Sequence, residues 1–170
     1  TLTGEALQLN EYALSEPQIK HLVLGEGVTF LAAKNKLSAA TLLDTEITIP
    51  ASLKELQNSG SNLFENTKFE NIHVAGNHPN YYEIDGVVID RSTNELVFYP
   101  RGRKDTSYTT PDKVSSIAKY AIQNDNLKSV TLSYNVEKLN SIAIYGSSIV
   151  TYTVLNPFMD CADTVFGINN

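Results

Sequence analysis

The stretch Leu127-Lys-Ser-Val130-Thr-Leu132-Ser-Tyr-Asn-Val136-Glu-Lys-Leu139 carries a spacing that the chain uses again and again. Leu127, Val130 and Leu132 stand at i, i+3 and i+5, and Val136 and Leu139 follow four and seven places after the last of them. The same ladder returns as Ile19/Leu22/Leu24, Phe69/Ile72/Val74 and Ile149/Tyr152/Val154, and in weaker form as Ile47/Ile49. Its trailing positions recur as Val28 and Leu31, Leu53 and Leu56, and Phe158 and Cys161. Recurrence of this kind means one supersecondary unit stacked several times. It moves the question of function from a pocket to a surface.

The last rungs Leu24, Ile49, Val74, Leu132 and Val154 are 25, 25, 58 and 22 residues apart. The long interval has room for one degenerate copy ending at Thr110, with Tyr108 as a rung and Val114 and Ile117 trailing. A third apolar station precedes each ladder: Ala13-Leu14, Leu63-Phe64, Ala121-Ile122 and Ala143-Ile144. Alternation of period 2 at the ladder predicts short strands at 22–24, 47–49, 72–74, 108–110, 130–132 and 152–154. They are expected in a single parallel β-sheet, in a right-handed stack of five to six units. The other two stations are expected as turns and short helical segments on the other side, with a short helix in 32–43. Between Asn80 and Tyr108 lies an insertion, about 81–107. There Val87-Val88-Ile89 and Leu96-Val97-Phe98-Tyr99 flank the polar run Asp90–Asn94, which predicts an inserted β-hairpin that projects from the stack. At the ends, Leu2, Ala6 and Leu9 fit a preceding copy, and Val165-Phe166 begins one that does not arrive. An unfinished stack exposes its core, so either the tail folds back as a cap or the natural chain continues. A start at Thr1 suggests a processed form or a fragment.

Composition fits one domain over 1–170, with 42% hydrophobic and 19% charged residues. A net charge of −6 argues against a nucleic-acid partner, since phosphate binding needs clustered Lys and Arg. No apolar run has the length of a membrane span. One cysteine cannot form an internal disulfide, and His21, His73 and His78 have no ligand spacing, so neither metal nor cofactor is expected.

One stretch is more specific. Asn80-Tyr-Tyr-Glu-Ile-Asp-Gly-Val-Val88, then Leu96-Val-Phe-Tyr-Pro100, Tyr108, Pro111, Val114, Ile117 and Ala121, resembles the long unit of the BspA-like leucine-rich repeats of bacterial surface proteins. Ile49-Pro50-Ala-Ser-Leu53 is similar to that family's strand exit. The resemblance runs over roughly 10–161. It implies a leucine-rich-repeat solenoid, secreted or displayed on a bacterial surface as an interaction scaffold, and brings no catalytic residues with it.

Cys161 falls on a trailing station and is expected in the core. Asp85, Asp90 and Glu95 read as turn chemistry rather than a carboxylate pair. Alternation turns Val23, Thr48, His73, Thr109, Thr131 and Thr153 outward, in a column roughly 24 Å long at the usual strand spacing. Thr48, His73, Thr109, Thr131 and Thr153 are therefore the candidate ligand contacts. Tyr81 and Tyr82 with Arg101, Arg103 and Lys104 form a second candidate patch. The expected function is adhesion-type binding of a protein or glycan through the concave face or the inserted hairpin, host-derived ligands included. The alternative is a structural spacer in a longer surface protein. A polysaccharide-active β-solenoid enzyme would need charged clusters on a face that here reads as threonine-rich and nearly uncharged.

Overall fold

A computed structural model describes residues 7–9, 20–31, 44–54, 57–58, 61–62, 67–145, 148–163 and 166–167. In its C-terminal part the chain winds as a coil with three sides. The ladder stations form a front row, Ser107–Thr109, Ser129–Leu132 and Thr151–Val154, all parallel and in register at 22-residue steps. The degenerate copy near Thr110 thus takes its place beside the regular ones. The trailing stations form a second row, Ser116–Ile117, Lys138–Leu139 and Asp160–Cys161. The preceding stations form a third, Ile122–Gln123, Ile144–Tyr145 and Phe166–Gly167.

The expected helical backing is therefore replaced by strands, and among the described residues there is no helix. The reason is length. Each of the two back sides of a coil contributes two paired residues before the chain turns, far short of the roughly 12–15 that make a helix worth nucleating. The neighbouring coil instead takes up the backbone groups. The expectation of a helix in 32–43 lies outside the described residues, as do the stations Ala13-Leu14 and Leu63-Phe64.

In the N-terminal part Leu7–Leu9 pairs with Val28–Leu31, and Glu46–Ile49 with Asn71–Val74, both parallel. Around 22–24 only Leu24 is bridged. Gln57–Asn58 and Ser61–Asn62 make a small antiparallel pair. The ladder is not one continuous sheet: Glu46–Ile49 and Asn71–Val74 form one sheet, and the front row from Ser107 onward another. The insertion causes the break. Tyr81–Ile84, Val87–Asp90 and Glu95–Phe98 run as an antiparallel meander, whose last strand joins Ser116–Ile117 and so heads the second row. The turn between its first two strands has Asp85 and Gly86 at φ 51 and 73, the left-handed pair that a two-residue Asp-Gly hairpin turn requires. That turn sits where the next ladder strand would lie. The Ile72 amide donates to the Gly86 carbonyl at 3.2 Å, and the Val74 amide to the Glu83 carboxylate at 2.6 Å.

A hairpin projecting into solvent is accordingly not what forms. The meander lies between two core clusters. Tyr81, Val88, Val97 and Phe98 pack with Leu22, Ile47, Ile49, Phe69 and Ile72. Val87, Ile89 and Leu96 pack with Ile117, Ile122, Val130 and Leu132. Burial on both faces explains why its strands read as continuous apolar runs. The chain leaves the meander through Gly102, whose amide donates to the Phe69 carbonyl at 2.9 Å. A Cβ at Gly102 would overlap the Lys68 carbonyl and come within 2.7 Å of the Phe69 oxygen, so only glycine fits this crossing.

At the other end the core is open. Val154 is 44% and Phe158 86% exposed, and Cys161 is exposed as well. These hold the same stations as the buried Leu132, Val136 and Leu139. Cys161 was expected in the core; it is exposed because a trailing station is covered only by the coil that follows it in the stack.

Leu132→Ala should lower unfolding free energy by about 2–5 kcal/mol, the range for truncating a fully buried leucine. Thr131→Ala, on the outer side of the same strand, should cost much less. Urea titrations of both variants check this, and equal losses would mean that the strand faces are reversed.

Candidate functional site

Inward neighbours on each strand hold the outward row in place. Ile47 and Ile49 are buried while Thr48 is exposed, and Val130 and Leu132 are buried on either side of Thr131. Register sets Thr48 beside His73, and Thr109, Thr131 and Thr153 side by side on three successive strands. The expected single column is thus two shorter ones, separated by the turn of the meander. Val23, Thr48 and His73 also line a hollow of about 180 Å³ with Glu46, floored by Leu22, Leu24 and Ile47. The first column is not uncharged. The His73 ring lies 3.2 Å from Glu83 and 3.9 Å from Glu46. Glu83 comes from the meander, which places a carboxylate on this face from outside the repeat pattern.

The second candidate patch comes apart. Tyr81 is 8% exposed and belongs to the core beside His78, with ring centroids 5.1 Å apart. Arg101, Arg103 and Lys104 each have an acidic partner: Asp125 at 3.3 Å, Asp105 at 2.6 Å and Glu70 at 3.4 Å. Arg103 also donates to the Asp85 carbonyl and lies over the Tyr99 ring. The loop that reads as a basic cluster is a set of local ion pairs binding the crossing to its neighbours.

Tyr82 of that patch stays at a surface cavity. It lines a cleft of about 420 Å³ with Arg91, Asn94 and Lys113. Asn94 belongs to the loop after Val87–Asp90. Asp90 organises this loop: its Oδ1 accepts from the amides and hydroxyls of both Ser92 and Thr93. Burial works to raise the Asp90 pKa, but these bonds outweigh it and hold the carboxyl below the usual range. Asn94 itself takes a left-handed φ of 53. The next coil locks the loop, with the Ser115 amide on the Asn94 carbonyl and the Ser115 hydroxyl on that of Thr93. Arg91 and Lys113 are 22 residues apart, one repeat step, and that spacing is the signal that would have paired them.

Behind this cleft His78 fixes the start of the meander. Its Nε2 donates to the Leu53 carbonyl at 2.8 Å, and its Nδ1 accepts from the amides of Asn80 and Tyr81. These partners select one neutral tautomer. Burial pushes its pKa down, with the nearby Arg91 adding to the effect against the raising bond to Leu53. Among the described residues no group of three His, Cys, Asp or Glu could hold a metal ion.

With the three-sided coil and its outward row in view, the class is that of leucine-rich-repeat solenoids. Residues 92–170 match the BspA-type leucine-rich-repeat region, in six copies. Solved structures share the fold. The pneumococcal vaccine antigen PcpA superposes with a TM-score of 0.57 at 23% identity, over 79% of this chain and 35% of that one. A leucine-rich-repeat protein from Eubacterium ventriosum gives 0.54 at 17% identity, over 80% and 42%. A leucine-rich cell-surface protein from Faecalibacterium prausnitzii gives 0.54 at 22%, over 77% and 40%. The chain thus spans well under half the length of these relatives. No curated protein sequence matches it.

A depressed histidine pKa makes stability depend on pH in a definite direction. The unfolded chain, with His78 near its ordinary 6.5, binds the proton before the folded chain does. Its contribution is therefore fully present above about pH 6.5 and is lost as pH falls through the lower folded value. Unfolding free energy should drop between pH 7 and pH 5, and His78→Gln should flatten that slope. An unchanged slope in the variant would contradict the neutral role of this ring.

Proposed function

We propose that this chain is a binding module of a secreted or surface-displayed protein, and that it engages a protein or glycan through the outward side of its front row. The register-matched triplet Thr109, Thr131 and Thr153 carries this reading. Small hydroxyl side chains on adjacent strands make a flat, hydrogen-bonding strip, while their inward neighbours fix the backbone beneath. Solenoids use such extended faces for binding because each coil adds one more contact in the same direction. The hollow at Val23, Thr48 and His73 offers a second, more charged contact on the earlier coils. Surface display is the natural setting, since one structural relative is a cell-surface protein and another a pneumococcal vaccine antigen. No enzymatic role is proposed.

The test is a screen of the purified chain against host matrix proteins and glycans, followed by the double variant Thr109→Arg/Thr131→Arg. These replacements fill the strip without entering the core. Binding should fall by roughly tenfold or more, the effect expected when several interface contacts are blocked, while circular dichroism stays unchanged. Retained affinity would remove the front row from the account. A screen without any ligand would favour a spacer.

A further inference from the structure

We propose that the cleft formed by Tyr82, Arg91, Asn94 and Lys113 binds a carboxylate-bearing sugar of an acidic glycan. The inference deepens the binding reading and rests on it, but the cleft is lined by none of the threonine-row residues.

Charge is the first argument. The protein is acidic at −6, and Arg101, Arg103 and Lys104 are each neutralised by a carboxylate. Arg91 and Lys113 have no ion-pair partner among the described residues, and both face the same cleft. Among the described residues the nearby Asp90 forms no ion pair with either, and its Oδ1 accepts from Ser92 and Thr93. Arg91 is also held ready. One N–H donates to the Tyr81 carbonyl at 3.1 Å, and the guanidinium lies 5.4 Å from the centre of the Tyr82 ring. A guanidinium has five N–H donors in a fixed fork suited to a carboxylate, so most remain for a ligand.

The neutral groups point to a sugar. The Tyr82 hydroxyl donates to Asn94 Oδ1 at 3.1 Å. That leaves the amide nitrogen of Asn94 as donor and the phenolic oxygen as acceptor, a pair that matches vicinal hydroxyls. Burial raises the Tyr82 pKa, which keeps its proton in place for that bond. The volume of about 420 Å³ falls within the range of small-ligand sites and accommodates one or two sugar rings. Charged and neutral groups converge from two coils on one open depression, whereas an extended acidic peptide is read along a groove or a sheet edge. Little reorganisation is needed, because Asp90 and Ser115 already fix the loop that carries Asn94.

The test uses the whole isotope-labelled chain and three probes: a tetrasaccharide alternating glucuronic acid and N-acetylglucosamine, its methyl ester, and an octapeptide of Asp and Glu. The acid form should shift the amide resonances of Tyr82, Arg91, Asn94 and Lys113. Loss of the charge partner, by the ester or by Lys113→Ala, should weaken binding roughly tenfold or more, as for other charge-assisted hydrogen bonds. Lys113 is exposed, so this variant keeps the fold, and Arg91→Gln should act in the same direction. Thr131→Arg should leave this binding unchanged, which separates the cleft from the front row. Equal binding of acid and ester, shifts confined to other residues, binding of the peptide alone, or no binding at millimolar concentration would each overturn the assignment.

Discussion

No coil of this protein can bury its own apolar side chains, and every other feature follows from that. A turn of 22 residues encloses a few inward groups, such as Val130, Leu132, Val136, Leu139, Ala143 and Ile144, and they are covered only when another coil lies above and below. Stacking also supplies the hydrogen bonds. Each two-residue strand pairs with its equivalent one coil away, and side chains stitch the turns between them. Buried Asn124 donates to the carbonyls of Pro100, Arg101 and Arg103 in the coil before, while its Oδ1 accepts from the amides of Asn126 and Leu127. Asn156 and Asn135 make similar bonds across coils to Val136 and Asp112. A buried carbonyl without such a partner would cost about 1–3 kcal/mol, so the buried Asn124 and Asn156 stabilise the turns they span.

The meander turns two arrays into one body. Its strands expose one face to the coils with 25-residue steps and the other to the coils with 22-residue steps, and each face meets a core cluster. The join replaces a ladder strand by a turn and a carboxylate, Gly86 and Glu83, and then threads the chain past Lys68 and Phe69 at Gly102. It also generates the two features that a regular solenoid would lack. Glu83 brings charge to His73 on the front, and the loop after Val87–Asp90 meets the following coil to form the cleft with Arg91 and Lys113.

The repeat itself was legible because inward positions must be apolar in every coil. The pairings Val130 with Tyr152 and Leu132 with Val154 follow the spacing residue by residue, and even the degenerate Tyr108 aligns with Val130. The outward side of Thr48, Thr109, Thr131 and Thr153 was legible for the same reason. What was not legible depends on context outside the period. Two-residue stations carry no helix or strand signature, so the back rows looked like turns and helical segments. Tyr81–Ile84 shows no clean alternation in the sequence because Tyr81, which enters the core, and Tyr82, which stays at the cleft, are the same residue type. The Arg101–Lys104 run looked basic because two of its three acidic partners, Glu70 and Asp125, lie more than 20 residues away in sequence. Cys161 looked buried because its station is buried at Ile117 and Leu139.

The most direct test of this account is amide hydrogen exchange across the meander compared with the front row. If the meander is sandwiched between two arrays, the amides of Val88, Ile89, Leu96 and Val97 should exchange as slowly as those of Val130 and Leu132, since all would open only with the whole stack. Exchange in the meander that is orders of magnitude faster, with Val130 and Leu132 still protected, would mean a hairpin standing free of the solenoid. It would contradict the central claim that this insertion joins the two arrays into one body.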